Sequence, residues 1–317
     1  MRVFRSGRTT MKVEARSIGP IAGQVLRRRS DATVIASFDR SFYLEADGDV
    51  ICVASEGLYD GPLNILTRLP KPCPTWSALP IAVGQRWTLG DDALSCMDGS
   101  GIDIELGEAR PWQPKPPPND PLKPSQIMLA LEGLKTLAAS RHRSDGLLDL
   151  VLDQESTPTS KVGRAARKPL QDLSQHAVTW LKDRDLQILA SLDALLGLGP
   201  GLTPSGDDLI AGFMIACGYI GHGEDALDLW QRLESRTKNR TTPISFAHLS
   251  AAGQGMGAAP FHDLIDALVE NRTDHIAEAL DAVARIGHSS GLDAVGGLLL
   301  LFDAWIAVGN GQPVSAA

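Results

Sequence analysis

Cysteine and long apolar runs are both scarce in this sequence. Its four cysteines lie far apart and include no C-x-x-C pair. This excludes a zinc ribbon or a dense disulfide framework and favours a reducing, cytoplasmic setting. The most apolar stretches are residues 209–220 and 294–308. The first is too short to cross a bilayer and the second contains Asp303, so we expect two buried helices and no membrane partner.

Positive charge is also in deficit. The chain has 30 Lys and Arg residues against 38 Asp and Glu, a net charge of −8, whereas domains that bind a nucleic-acid duplex are usually basic. We therefore expect no nucleic-acid partner. The first 30 residues are a basic exception, but they lack the apolar segment of a secretory signal. Residues 1–14 are expected to be disordered.

Proline divides the chain. Seven of the 20 prolines lie between residues 111 and 124, where they prevent a helix or a central strand from continuing. Residues 1–110 contain short alternating stretches and an Asp47-Gly48 hairpin signal. Helical periodicity dominates residues 125–317. The sequence thus predicts an α+β protein, with a small β-rich barrel- or sandwich-like domain, a linker at 111–124 and an all-α domain.

The all-α domain is expected to hold eight or nine helices. The candidates are residues 125–140, 145–154, 170–197, 207–220, 224–236, 243–252, 261–270, 273–286 and 292–308. A further short helix is expected near residues 18–29 of the β-rich domain.

The first motif of chemical interest runs from Gly197 to Asp208, with the sequence GLGPGLTPSGDD. Its glycines, among them Gly199, Gly201 and Gly206, would let a backbone approach a ligand, and Thr203 and Ser205 offer hydroxyls. Free N–H groups where a helix begins favour a carboxylate or a phosphate. Capping of the next helix by Ser205 and Asp208 is the simpler alternative. The motif has no Walker A lysine.

A second motif, GHSSGLDAVGG, begins at Gly287 and repeats part of the first. The segment Ser205-Gly206-x-Asp208 matches Ser290-Gly291-x-Asp293, and Gly212 matches Gly297. The first copy begins at residue 205 and the second at residue 290. We infer two equivalent helix starts, each with a serine N-cap and, one turn further in, a glycine where another backbone packs closely. His288 and Ser289 are candidate site residues here. Gly287-x-Ser289-x-Gly291 also matches a hydrolase nucleophile elbow, but no strand is expected before it.

A third helix start is predicted at Thr242, with Pro243 in the first helical position and Ser245 just after it. Three hydroxyl-bearing helix starts in one domain can line one pocket. Such a pocket suits a carboxylate or a phosphate, whereas Asp207, Asp208 and Asp293 suit an amide or ureido N–H, a cation or a proton to be abstracted. A ligand with an anionic end and an N–H-rich end satisfies both sets; Mg²⁺ bridging to a phosphate is the alternative.

These motifs resemble a known bacterial family. GLGPGLTPSGDDLIAGF, TTPIS and GHSSGLDAVGG are similar to the family of the AllH-type subunit of oxamate carbamoyltransferase, an enzyme of allantoin catabolism, and the resemblance extends from about Ala15 to Val308. It implies carbamoyl transfer between oxalurate and phosphate, alongside other subunits. The Ser-Thr-Arg-Thr phosphate motif of aspartate and ornithine carbamoyltransferases is absent, so any transferase chemistry would use a different fold.

Two functions stay open at this point. One is a catalytic transferase subunit, with Asp207, Asp208, Asp293 and His288 as candidate catalytic residues. The other is a non-catalytic subunit that binds a small carboxylate or serves assembly. The candidate ligand-binding residues are the same for both: Gly199, Gly201, Thr203, Ser205, Gly206, Thr242, Ser245, Ser289, Ser290 and Gly291.

Overall fold

The chain divides into two compact units, Met1–Gln113 and Pro114–Ala317. The computed structural model describes residues 11–71, 73, 75–99, 101–118, 122–141, 146–153, 155, 157–158 and 160–310. Of the start expected to be disordered, residues 1–10 lie outside the described residues. Residues 11–14 belong to the first strand, so for them the expectation was wrong. Their alternating pattern buries Val13 on one face and leaves Lys12 and Glu14 on the other, as in a half-buried strand.

The first unit is a β-barrel with one short helix. Residues 11–18 and 31–37 alternate buried and more exposed positions, which is the pattern of a sheet with one face on a core, whereas residues 50–55 are buried throughout. The strands are β1 (Met11–Ile18), β2 (Asp31–Ser37), β3 (Ser41–Ala46), β4 (Asp49–Ser55), β5 (Asn64–Arg68), β6 (Arg86–Leu89), β7 (Ala93–Cys96), β8 (Ile102–Glu105) and β9 (Arg110–Pro111), and the helix is α1 (Pro20–Leu26).

Eight of these strands form a closed ring. The pairing order is β5-β4-β3-β2-β6-β7-β8-β1, and β1 also pairs with β5. The short β9 continues along β1 beyond β8. The predicted hairpin turn is present between β3 and β4, where Asp47 and Gly48 both have positive φ values of 52° and 87°. Inside the ring, Phe42 packs against Trp76 and Trp87 with ring centroids 4.9 and 5.3 Å apart.

Within the described residues of the second unit, all regular secondary structure is helical. Its helices are α2 (Pro124–Arg141), α3 (Leu148–Leu152), α4 (Lys161–Asp183), α5 (Ile188–Leu195), α6 (Ser205–Tyr219), α7 (Gly223–Thr237), α8 (Pro243–Gly253), α9 (Ala259–Val269), α10 (Thr273–Val283) and α11 (Ser290–Gly309). The predicted fold class, a β-rich domain followed by an all-α domain, is confirmed.

One predicted helix, residues 170–197, was wrong. The structure instead has α4 and α5, separated at Arg184, whose left-handed φ of 59° ends α4. Helix α4 also begins earlier than expected, because the hydroxyl of Ser160 accepts a hydrogen bond from the N–H of Gly163 and the helix continues through Pro169. A proline inside a helix removes one donor, but here it does not end the helix.

Helix α11 is the most apolar element of the chain. It is long and apolar enough to cross a membrane, but 67% of its most apolar stretch is buried inside the protein. Its side chains Leu298, Leu299, Leu301 and Phe302 are fully buried in the main core of the helical unit. The burial matches the expected core helix.

Candidate functional site

The candidate site is built on a close crossing of α6 and α11. A Cβ added at Gly212 would lie 1.9 Å from the carbonyl oxygen of Ala294, and one added at Gly297 would lie 1.9 Å from that of Leu209. Only glycine therefore permits this approach at either position. The close packing expected of both glycines is confirmed, and it brings the first turns of the two helices side by side.

At this crossing the serine of each helix lies beside the aspartate of the other. The hydroxyl of Ser290 on α11 lowers the pKa of Asp208 on α6, and the hydroxyl of Ser205 on α6 lowers that of Asp293 on α11, each against the opposing effect of burial. Thr203 Oγ1 joins the group at 2.9 Å from Ser290 Oγ.

The serine N-caps predicted for α6 and α11 were wrong. Ser205 and Ser290 are the first residues of their helices, and the N-cap positions are held by Pro204 and Ser289 without a side-chain cap. The physical reason is the crossing itself, because the serine hydroxyls have a carboxylate of the facing helix within reach. The predicted Thr242 cap of α8 is confirmed, with its Oγ1 accepting the N–H of Ser245 at 3.0 Å.

Asp293 is fully buried. Its Oδ1 accepts the N–H of Leu147 at 2.5 Å, and the Ser289 hydroxyl and the Leu148 N–H lie near the same carboxyl group and act to lower its pKa. Burial raises the pKa of this carboxyl group in spite of these donors. Its Oδ2 is buried and has no hydrogen-bond partner within the described part of the chain.

Asp208 is only half-buried and differs from Asp293 in its partners. The hydroxyls of Ser290 and Thr203 lie beside it and act to lower its pKa. Burial raises the pKa of Asp208 well above the usual aspartate range, and the nearby charges of Asp293 and Asp207 raise it further. Like Asp293, it has a buried Oδ2 with no hydrogen-bond partner among the described residues.

Asp207 points to a different neighbour, the start of α8. Its Oδ1 accepts the N–H of Gly197 at 2.7 Å, and its Oδ2 accepts the hydroxyls of Ser245 at 2.6 Å and of Thr241. Both oxygens of this buried carboxylate are therefore occupied. These hydrogen bonds tie the glycine loop and the start of α8 to Asp207.

The glycine loop before α6 has an unusual backbone. Gly197, Gly199 and Gly201 have φ values of 70°, 133° and 93°, a region that favours glycine. Within the described part of the chain, the backbone N–H groups of Gly199, Gly201 and Leu202 have no hydrogen-bond partner. Such groups in a loop with left-handed residues can bind an anion. The N–H of Gly206, in contrast, already donates to the carbonyl of Leu198 at 2.8 Å.

Two further predicted residues are not drawn into the hydrogen-bonded group. His288 is exposed on the loop before α11, and no hydrogen bond of its side chain is found among the described residues. Gly291 has a packing role, because a Cβ there would lie 2.0 Å from the carbonyl oxygen of Val283. No three His, Cys, Asp or Glu side chains of the described residues converge as a metal site would require.

Sequence reasoning missed two partners of the aspartates. Thr241 precedes the expected cap residue, and its second hydroxyl in Thr241-Thr242 was a signal that could have been used. The N–H of Leu147 reaches Asp293 from a distant part of the sequence, with Gly146 so close that a Cβ there would lie 2.2 Å from Oδ1. No local pattern predicts such a contact.

Residues 195–302 match the model of a family described as oxamate carbamoyltransferase subunit AllH. No solved structure matches the chain. The matched stretch is shorter than the expected resemblance from Ala15 to Val308. It begins at the last residue of α5, ends within α11 and includes all three aspartates. The expected resemblance is thus confirmed for the segment that carries the candidate site, which is similar to the AllH family of oxamate carbamoyltransferase subunits.

Proposed function

We propose that this chain is a subunit of an oxamate carbamoyltransferase-like enzyme, which transfers a carbamoyl group between a ureido acid such as oxalurate and phosphate. The observation that carries the proposal is the half-buried Asp208, which lies at the α6–α11 crossing just after a loop with unpartnered N–H groups. The family match covers this same segment.

The two parts of the site suit the two ends of a ureido acid. The N–H groups of Gly199, Gly201 and Leu202 are donors for a carboxylate or a phosphate, and their place at the start of α6 adds the favourable end of the helix dipole. Asp208 suits the other end of the ligand, because a carboxylate accepts a hydrogen bond from an N–H group or takes up a proton. Asp207 suits this role less well, because both of its oxygens already accept hydrogen bonds from the protein.

The reaction needs one proton to move. A phosphate oxygen attacks the carbamoyl carbon, the bond from that carbon to the inner nitrogen breaks, and the proton of hydrogen phosphate must reach the nitrogen that leaves with oxamate. In this proposal Asp208 takes the proton from phosphate and returns it to nitrogen. The raised pKa of Asp208 suits such a relay, because general acid–base catalysis works best with a pKa near the working pH.

The first test measures binding and turnover with matched variants. Phosphate, oxamate, oxalurate and carbamoyl phosphate are each screened by thermal shift, and phosphate-dependent turnover of oxalurate is measured with and without added partner subunits. Asp208→Asn is expected to lower turnover by about 10²–10⁴-fold, the range for losing a general acid–base group. Asp228→Asn is the control, since Asp228 is exposed on α7 and, among the described residues, pairs only with Arg232. Full turnover by Asp208→Asn would refute the catalytic role.

A non-catalytic subunit that binds a small carboxylate or serves assembly is the second candidate. It is favoured by the close crossing of α6 and α11 at Gly212 and Gly297, because polar residues at such a contact also serve to hold two helices together. For this function, the ligand would still shift the melting temperature of the wild-type chain, and Asp208→Asn would leave the turnover of the assembled complex unchanged.

A further inference from the structure

The barrel unit contains a cavity of about 510 Å³ at the end of β1, and every residue that lines it belongs to Met1–Gln113. Two segments meet at this place. Strand β1 ends at Ile18 and leads into α1. Trp112, which follows β9, donates its backbone N–H to the carbonyl oxygen of Ile18 at 2.9 Å. Residues of both segments line the cavity, whose volume is typical of a small-molecule site.

Helix α1 has separate faces for the barrel and for the cavity. Its buried residues are Ala22, Val25 and Leu26. Four of the α1 residues that line the cavity are three and four positions apart, as on one face of a helix: Pro20, Gly23, Gln24 and Arg27. The backbone fixes this wall, because the N–H groups of Ile21 and Ala22 both donate to the carbonyl oxygen of Pro62, at 3.0 and 3.1 Å.

Arg27 brings an unpaired positive charge to the cavity. Its Nη1 lies 3.6 Å from the position that a Cβ at Gly23 would take, so the guanidinium group lies along the cavity face of α1. No hydrogen bond or ion pair of the Arg27 side chain is found among the described residues. Asp91 also lines the cavity, but its carboxylate pairs with Arg29. The cavity is therefore locally positive in a chain whose net charge is −8.

The other wall of the cavity is aromatic and aliphatic. Trp112 is half-buried, and within the described part of the chain its indole N–H has no hydrogen-bond partner. Leu106 and Ala109 belong to the same wall. An indole offers its face to a flat ring and its N–H to an acceptor. This wall suits an aromatic group, whereas Arg27 suits an anion.

From these features we infer that the cavity binds an aromatic carboxylate, with its ring against Trp112 and its carboxylate on Arg27. A guanidinium group matches a carboxylate through two parallel N–H donors. An aromatic amine of the same size would instead place a like charge beside Arg27. The inference goes beyond the proposed function, because the barrel lies outside residues 195–302, which match the family. Its failure would leave the proposed function untouched.

Indole-3-acetate and indole-3-acetamide are suitable probes, because they have the same shape and differ in charge. Their dissociation constants are measured by calorimetry on the full-length protein at constant pH and ionic strength. The wild-type protein is expected to bind the carboxylate at least about tenfold more tightly than the amide, since charge-assisted hydrogen bonds to Arg27 form only with the carboxylate. Arg27→Gln should reduce this preference to about twofold or less, because glutamine carries no charge.

Arg28→Gln is the matched control. It removes the same charge one residue further along, where Arg28 is exposed and pairs with Asp49, and neither residue lines the cavity. The wild-type preference should remain. Gly23→Leu tests the location. A Cβ at Gly23 would meet its nearest atoms at 3.6 and 3.7 Å, so the substitution fits the backbone and fills the cavity. It should weaken the binding of both probes by about tenfold or more.

Four results would overturn the inference. They are no binding of either probe to the wild-type protein at about millimolar concentration, equal binding of the two probes, an unchanged preference in Arg27→Gln, and undiminished binding by Gly23→Leu. Circular dichroism checks that each variant is folded. If Arg27→Gln unfolds, Arg27→Lys keeps the positive charge and should retain the preference for the carboxylate, and Gly23→Leu still decides whether the probes occupy this cavity.

Discussion

Replacing the glycines of the α6–α11 crossing should separate the two helices. A Cβ at Gly212 would lie 1.9 Å from the carbonyl oxygen of Ala294, whereas ordinary contact begins at 3.4 Å. The helices must move apart by about 1.5 Å, the difference between these distances. A gap of 0.5–1 Å already removes about a quarter to a half of the attraction between packed atoms. Overpacking of this kind typically costs about 1–3 kcal/mol.

We expect Gly212→Ala and Gly297→Ala each to lower the free energy of unfolding by about 1–2 kcal/mol, the upper half of the net range, because the 1.9 Å contacts are severe. This value allows for the gain of about 1 kcal/mol that alanine brings inside a helix. The double variant should lose less than the two single losses combined, because one separation of the helices relieves both clashes. Urea unfolding of the full-length protein, followed by circular dichroism at 222 nm, measures these differences.

Gly133→Ala is the matched control. Gly133 also lies inside a helix, α2, but a Cβ there would meet no atom within 4 Å. The same substitution should therefore stabilise the protein by about 0.5–1 kcal/mol. An unchanged or higher stability of both Gly212→Ala and Gly297→Ala would show that the helices do not cross this closely. Additive losses in the double variant would show that the two contacts are independent.

Two further predictions concern buried polar groups. Asp207→Ala should lower the free energy of unfolding by about 3 kcal/mol or more, because the Gly197 N–H and the Ser245 and Thr241 hydroxyls lose their acceptor. Asp207→Asn, which keeps one acceptor, should lose less, and a urea-measured loss under 1 kcal/mol for Asp207→Ala would contradict this role. Burial lowers the pKa of His262 to about 4, against 6.5 for the model imidazole. The neutral His262 side chain therefore contributes fully to the free energy of unfolding above pH 6.5, and this contribution is lost as the pH falls toward 4. Between pH 7 and 5, the free energy of unfolding of the wild-type protein should fall by about 2 kcal/mol relative to that of His262→Gln. Parallel pH dependence of the two proteins in urea titrations would refute it.

The repeated motif is the part of the site that sequence could predict well. The matching positions of Gly212 and Gly297 indicated two equivalent helices with close backbone contacts, and the structure confirms both. The serine caps were wrong for a related reason. Capping rules describe what a serine does within its own helix, whereas Ser205 and Ser290 each lie beside an aspartate of the facing helix, and the rules do not include that neighbour.

Long-range contacts account for the rest of what was missed. The pairing of Leu147 with Asp293, or of Asp207 with Thr241, depends on how distant segments pack, and no local periodicity encodes it. The division of residues 170–197 into two helices was hard to predict from the local sequence. It depends on a left-handed backbone conformation at Arg184, which is uncommon for a residue other than glycine. The fold class was predictable because strand alternation and helical periodicity are strong along most of each domain.

The closure of the barrel bears on its synthesis. Strand β1 pairs with β5 and with β8, so the first described strand has no complete set of neighbours until residue 105 has left the ribosome. The β2–β3–β4 meander pairs consecutive strands and can form much sooner, because short loops close at little entropic cost. We expect the pairing of β1 with β8 to form last and close the ring, and a nascent chain that ends before β8 to leave one edge of β1 open to proteases.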